Sequence, residues 1–111
     1  MLSLVESFPS LAAELSERLR AEGHAALADQ IDRALIDRIT FGEDVGYIYV
    51  QPSAELNAVE KSIMRVRHGG TIQVDTRYWT NIDTDNFGRP TGIEILTPGD
   101  IKDELRKHAK G

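Results

Sequence analysis

The stretch Ile82–Leu96, IDTDNFGRPTGIEIL, decides how this chain is read. Asp83 and Asp85 precede an Asn86-Phe87-Gly88 turn, and Gly92 leads the run Ile93-Glu94-Ile95, which alternates apolar and polar as a strand does. A four-residue tip at Asn86–Arg89 sets Ile82 opposite Ile93 and Asn81 opposite Glu94. Pro90 then falls at the strand entry, where a missing N–H donor does least harm. The spacing predicts a β-hairpin running from Trp79 to Leu96, whose apolar side must be buried against the rest of the chain.

Upstream, two further hairpins are expected. Ile39 and Phe41 alternate with Arg38 and Thr40, and Tyr47-Ile48-Tyr49-Val50 alternates again after Gly42-Glu43-Asp44. With Glu43-Asp44 as a two-residue loop, Ile39 faces Ile48, Phe41 faces Gly46 and Arg38 faces Tyr49. That register sends Ile39, Phe41, Ile48 and Val50 inward and Arg38, Thr40, Tyr47 and Tyr49 outward. The next hairpin is read with His68-Gly69-Gly70 as a three-residue loop, pairing Met64 with Val74, Arg65 with Gln73 and Val66 with Ile72. Pro52 and Ser53 close the first hairpin, and Ala54–Val59 reads equally as a helical turn or a loop.

The flanks are helical. Pro9 suits a first turn, and Leu11, Leu15 and Leu19 recur at four-residue spacing until Gly23 ends a helix over 9–22. After His24, the residues Ala25, Leu27, Ala28, Ile31, Ala34 and Leu35 recur at three and four. Pro98-Gly99-Asp100 opens a terminal helix with Ile101 and Leu105 on one side and Arg106, Lys107 and Lys110 near its end, as the macrodipole prefers. The expected fold class is α+β in one domain: a helical hairpin over 1–35, an antiparallel sheet of about six strands in three hairpins over 36–97, and a short helix over 98–109. The helix pair is expected on one face of the sheet.

Composition narrows the function classes. The chain has 111 residues, enough for one core, and no cysteine, which removes disulfides, thiolate metal sites and Cys nucleophiles together. Thirteen basic residues against 18 acidic give a formal charge of −5, which opposes nucleic acid and anionic membranes and favours a basic protein partner. A DNA-reading helix pair is disfavoured too, since residues 1–35 hold six acidic and three basic side chains. Met1–Phe8 has neither a basic leader nor a long apolar core, so cytoplasm is the expected compartment.

No catalytic fingerprint stands out, and no cofactor is expected. Asp83, Asp85, Gly88 and Glu94 match positions 1, 3, 6 and 12 of a calcium loop, but Phe87 stands where an oxygen ligand belongs and the flank is a strand. The carboxylates therefore read as turn residues, and no metal is assigned. His24, His68 and His108 have no motif that makes them partners. The outward sheet face is the stronger candidate: Tyr47, Tyr49, Arg65, Arg67, Asp75, Trp79, Asn81, Asp83 and Glu94 are the expected partner-binding residues. Tyr, Trp and Arg concentrate energy at protein interfaces. The bland alternative is a solvated face laced by pairs such as Arg67 with Asp75.

The Tyr47-Ile48-Tyr49 hairpin, taken with Asp83-x-Asp85-x-x-Gly88-Arg89-x-x-Gly92-Ile93-Glu94-Ile95-Leu96, resembles the small bacterial family called domain of unknown function 2283, over residues 36–97. The resemblance implies a compact antiparallel β domain and brings no assigned activity or catalytic residues. This chain departs from it in the N-terminal helix pair and the longer segment around Ala54–Ile63. The expected function is a non-catalytic protein-binding module, most concretely a bacterial immunity or antitoxin protein occluding a basic toxin such as a nuclease. The alternatives are a small metal-assisted hydrolase using Asp83, Asp85 and Glu94, and a homo-oligomeric structural protein.

Overall fold

The computed structural model describes residues 2–51 and 67–109. Three helices come first: α1 (Leu4–Ser7), α2 (Pro9–Ala21) and α3 (Ala25–Arg33). Five strands follow, β1 (Leu35–Gly42), β2 (Val45–Gln51), β3 (His68–Val74), β4 (Thr80–Asp85) and β5 (Pro90–Ile95). A single 3-10 turn, Gly99–Ile101, leads into α4 (Lys102–His108).

The helix pair forms for the reasons its spacing suggests. Pro9 occupies the first turn of α2, and Leu11, Ala12, Leu15 and Leu19 make its buried stripe. At its end Gly23 takes φ +86°, its N–H bonds to the Arg20 carbonyl, and the His24 N–H reaches back to the Leu19 carbonyl at 2.7 Å. This six-to-one and five-to-two pairing is the glycine-dependent Schellman stop. Helix α3 ends at Arg33 rather than at Leu35, because Ala34 turns extended and Leu35 already pairs with Gln51. Helix α1 carries no periodic signal. It is one turn, capped by the Ser3 hydroxyl on the Glu6 N–H.

The sheet is antiparallel throughout, in the order β1-β2-β5-β4-β3. Ile39 faces Ile48, Phe41 faces Gly46 and Arg38 faces Tyr49, as the alternation requires. Glu43 and Asp44 both have positive φ, 53° and 65°, the two left-handed residues of a type I′ turn. Ile82 faces Ile93 and Asn81 faces Glu94 around the Asn86–Arg89 tip, also as expected. Five strands, rather than about six, are present among the described residues, arranged as the β1–β2 hairpin and the β3–β4–β5 meander.

The second expected hairpin needs correction. His68, Gly69 and Gly70 lie inside β3, and β3 pairs with β4. The register shifts between His68 and Gly70, so Gly69 is the extra residue of a bulge. A methyl group on Gly69 would collide with the Asp85 carbonyl. The glycine serves a close backbone approach, a role that the same dipeptide signal does not separate from a turn. The expected pairs of Met64, Arg65 and Val66 fall outside the described residues.

One core joins both layers. Ile39, Ile48, Val50, Ile82, Ile93, Ile95 and Val74 form the inner side of the sheet and pack with Leu4, Phe8 and the α2–α3 stripes, with Leu105 of α4 in the same cluster. Full burial of one such isoleucine or leucine is worth about 2 kcal/mol, so this face accounts for most of the driving force. Tyr78 anchors α2 to the β3–β4 connection. Its ring is 1% exposed, and its hydroxyl shares a 2.8 Å hydrogen bond with Ser10. Among the described residues, no helix is long and apolar enough to cross a membrane.

Candidate functional site

Strand alternation sends the opposite set of side chains outward, and no described helix lies over them. The register aligns these residues in rows across the strands. One row reads Arg38, Tyr49, Gly92, Asp83, Thr71, and the next reads Thr40, Tyr47, Glu94, Asn81, Gln73.

The rows are linked by contacts that cross the whole sheet. The Arg38 guanidinium carbon sits 4.1 Å from the Tyr49 ring centre, and the Tyr49 and Tyr47 rings are 4.5 Å apart at 54°. Tyr47 donates its hydroxyl hydrogen to Asp83 Oδ2, and Thr71 donates to Asp83 Oδ1 at 2.6 Å. Cation–π, aromatic and charge-assisted hydrogen-bond contacts thus run from β1 to β3. Burial, and then the hydrogen bond to Asp83, pushes the Tyr47 hydroxyl well above the usual tyrosine range.

This reach depends on Gly92. Tyr47 faces Glu94 directly, yet its ring leans over Gly92 to meet Asp83 two strands away. A methyl group on Gly92 would overlap the Tyr47 hydroxyl and ring. In the neighbouring row Asn81 Nδ2 donates to Glu94 Oε1 at 2.9 Å.

A third row closes the loop end of the face, where the β1–β2 turn and the β3–β4 connection lie. The Leu96 N–H continues the ladder onto the Trp79 carbonyl at 3.0 Å, and the β2–β5 register places Val45 across from Leu96. All three are exposed apolar side chains, at 37% for Val45, 45% for Leu96 and 56% for Trp79. Trp79 also holds φ +50°, an uncommon conformation for a bulky residue.

The tip behaves differently. Asp85 is 3% exposed and accepts from the N–H groups of Phe87 and Arg89 through Oδ1, while its Oδ2 pairs with Arg89 Nε at 2.9 Å. Asp83, Asp85 and Glu94 therefore each answer to a different set of neighbours. Among the described residues, no three His, Asp or Glu side chains gather as metal ligands do. Of the shallow depressions, one of about 410 Å³ lies between the α2–α3 junction and the tip, beside His24, Leu27, Ile72 and Phe87. Its lining mixes Ala26, Leu27, Ile72 and Phe87 with the polar Gln30 and Thr84, and His24 is its single titratable side chain.

Of the residues singled out from sequence, Tyr47, Tyr49, Asn81, Asp83 and Glu94 come together, and Trp79 and Asp75 lie at the loop end. Arg67 does not join them. It precedes β3 and clamps Asn86 at the tip through its own N–H and carbonyl, whereas Asp75 follows β3, so a cross-strand Arg67–Asp75 pair is replaced by placement at opposite ends of one strand. Arg65 lies outside the described residues. Thr71, Gly92, Val45 and Leu96 were not singled out. Their signal was parity, since Val45 shares the face of Tyr47, and Gly92 and Leu96 share that of Glu94.

Comparison of the chain with protein-family models, with curated proteins and with solved structures found no match.

Proposed function

We propose that the protein is a non-catalytic binding module that docks a protein partner on the outward face of its sheet. One observation carries this reading: an aromatic and carboxylate lattice ordered by its own contacts lies beside the exposed row Val45, Leu96 and Trp79 on a face that no described element covers. A preordered face loses little entropy on binding, and aromatic side chains with a nearby apolar patch are where interface energy concentrates. An isolated exposed leucine means little, but three apolar side chains in register form a patch.

In its most concrete form the partner is a basic toxin, and the protein is an immunity or antitoxin protein that occludes it. The net charge of −5 supports that form through faster, oriented encounter. The family resemblance expected from the residues of 36–97 would bring no activity of its own and leaves this form open.

The test is co-expression with the product of the adjacent gene, followed by co-purification with wild-type chain and with Leu96→Arg and Tyr49→Ala variants. The complex should form with wild type and be lost with both variants, with Leu96→Arg keeping the wild-type unfolding midpoint and Tyr49→Ala, which gives up its contacts with Arg38 and Tyr47, still folded at the assay temperature. A complex that survives both substitutions removes the docking-face reading. Failure to protect cells from a toxic neighbour removes the toxin form alone.

A further inference from the structure

The outward face has two unlike parts, and together they specify an occupant. Resting on the docking-face reading above, we propose that the occupant is a basic segment of a partner protein. A large apolar side chain of that segment lies on the Val45–Leu96–Trp79 row, and a lysine or arginine beside it reaches Glu94 and Asp75.

The apolar part follows from exposure. Val45, Leu96 and Trp79 keep much of their surface in water, and covering them with one large side chain is the largest hydrophobic gain this face offers. The charged part follows from where cations already sit. Several carboxylates away from this face already hold a cation: Asp85 has Arg89, Asp44 has Lys102, Glu14 has Arg77, and Asp29 and Asp32 share Arg20. Among the described residues, Asp75, Asp83 and Glu94 on the outward face pair with no lysine or arginine. Among the described residues, Asp83 commits both oxygens, to Tyr47 and Thr71, and Glu94 commits only Oε1, to Asn81. Among the described residues of this face, the carboxylates open to a visiting cation are therefore Glu94 and Asp75, and both lie next to the apolar row by register.

The same layout argues against the other occupants. A second copy laid face to face would bring these carboxylates against their own kind, with Arg38 at the far corner as the main cation among the described residues, and like charges brought together in a drying interface are costly. Nucleic acid would meet the same carboxylates with its phosphates.

Trp79 is the chain's one tryptophan, so its emission reports directly on the proposed site. A random-peptide phage library lacking tryptophan would be selected on the immobilised full-length protein, and the enriched peptides titrated while Trp79 emission is followed. Enriched peptides should carry Lys or Arg next to Leu, Ile, Phe or Met, should shift the emission saturably, and should weaken as salt is raised. Glu94→Gln keeps the acceptor for Asn81 but removes the charge, and should weaken binding about tenfold, as should Leu96→Ser. Peptides that need Leu96 and Tyr49 but carry no cation, or that bind Glu94→Gln as tightly as wild type, would overturn this proposal and leave the docking face standing. Peptides indifferent to Leu96→Ser and Tyr49→Ala alike would count against both. No enrichment at all, or a concentration-dependent dimer by light scattering that Leu96→Arg abolishes, overturns the basic-segment proposal.

Discussion

Tyr47 reaches Asp83 because the residue between them has no side chain. The contact therefore joins three positions, and the three should behave as a unit. Tyr47→Phe removes one hydrogen bond to a carboxylate and should cost about 1.5 kcal/mol. Gly92→Ala should cost at least as much, because the added methyl displaces the ring from its path. In a Tyr47→Ala background, however, the same Gly92→Ala change should cost less than half its wild-type value. Urea unfolding of the four corners of this cycle measures the coupling, and simple additivity would show that ring and glycine are independent. The hydroxyl also predicts a pH dependence. Its folded-state pKa is raised above the ordinary value of about 10, so the stability it contributes is complete below that value and declines as pH climbs past it. Tyr78 is shifted the same way, mainly by burial, and adds to the alkaline loss. Comparing urea midpoints at neutral pH and above the ordinary tyrosine value should therefore show a smaller alkaline drop for Tyr47→Phe than for wild type. From sequence alone, parity put Tyr47 and Asp83 on one face. The role of Gly92 was hidden, because it depends on β5 lying between β2 and β4.

Turn chemistry governs the elements, and it was legible where a turn is closed by its own residues. Glu43-Asp44 was readable as a two-residue loop from the alternation on either side, although neither residue favours the positive φ that it adopts. That mismatch yields a prediction: Glu43→Asn with Asp44→Gly should stabilise the protein by about 1 kcal/mol, since left-handed backbone is costly for residues with an ordinary Cβ. The change also deletes the 2.6 Å Asp44–Lys102 pair, but Asp44 is largely exposed, and exposed pairs contribute less than the backbone gain. Thermal denaturation of the double variant checks the sign. The β4–β5 tip was legible in its length and not in its chemistry. Asp85 looked like a ligand or a generic turn residue, yet it is the buried cap of its own turn. Asp85→Ala should cost about 3 kcal/mol by leaving turn N–H groups and the Arg89 charge without their acceptor. Asp85→Asn can still accept from both amides and should cost less, and equal midpoints for the two variants would assign the whole effect to Arg89. The Gly69-Gly70 pair was misread because glycine signals an unusual backbone without saying which one. Here it marks a bulge passing against the Asp85 carbonyl.

At the scale of the whole molecule the two faces of the sheet differ in kind. Local pattern specified two of the three expected hairpins, but the order β1-β2-β5-β4-β3 comes from the β2–β5 pairing, which joins segments some 45 residues apart with no local signal. What decides it is the inner face: Ile39 meets Ile48, Ile48 meets Ile93, Ile93 meets Ile82, and Ile82 meets Ile72, so one isoleucine row spans all five strands beneath the helices. The outer face carries no comparable apolar row except the one at its loop end, which remains exposed. This asymmetry makes a direct prediction about neighbouring positions on and just past one strand. Ile93→Ala should cost about 3 kcal/mol, because Ile93 is fully buried and the cavity cannot be filled without moving both layers. Leu96→Ala, three residues on and nearly half exposed, should cost no more than about 0.5 kcal/mol. Urea unfolding of both variants measures the contrast. A large cost at Leu96 would mean that the end row supports the fold. A small one would mean that it can be altered for binding without loss of stability, which is the property a docking surface requires.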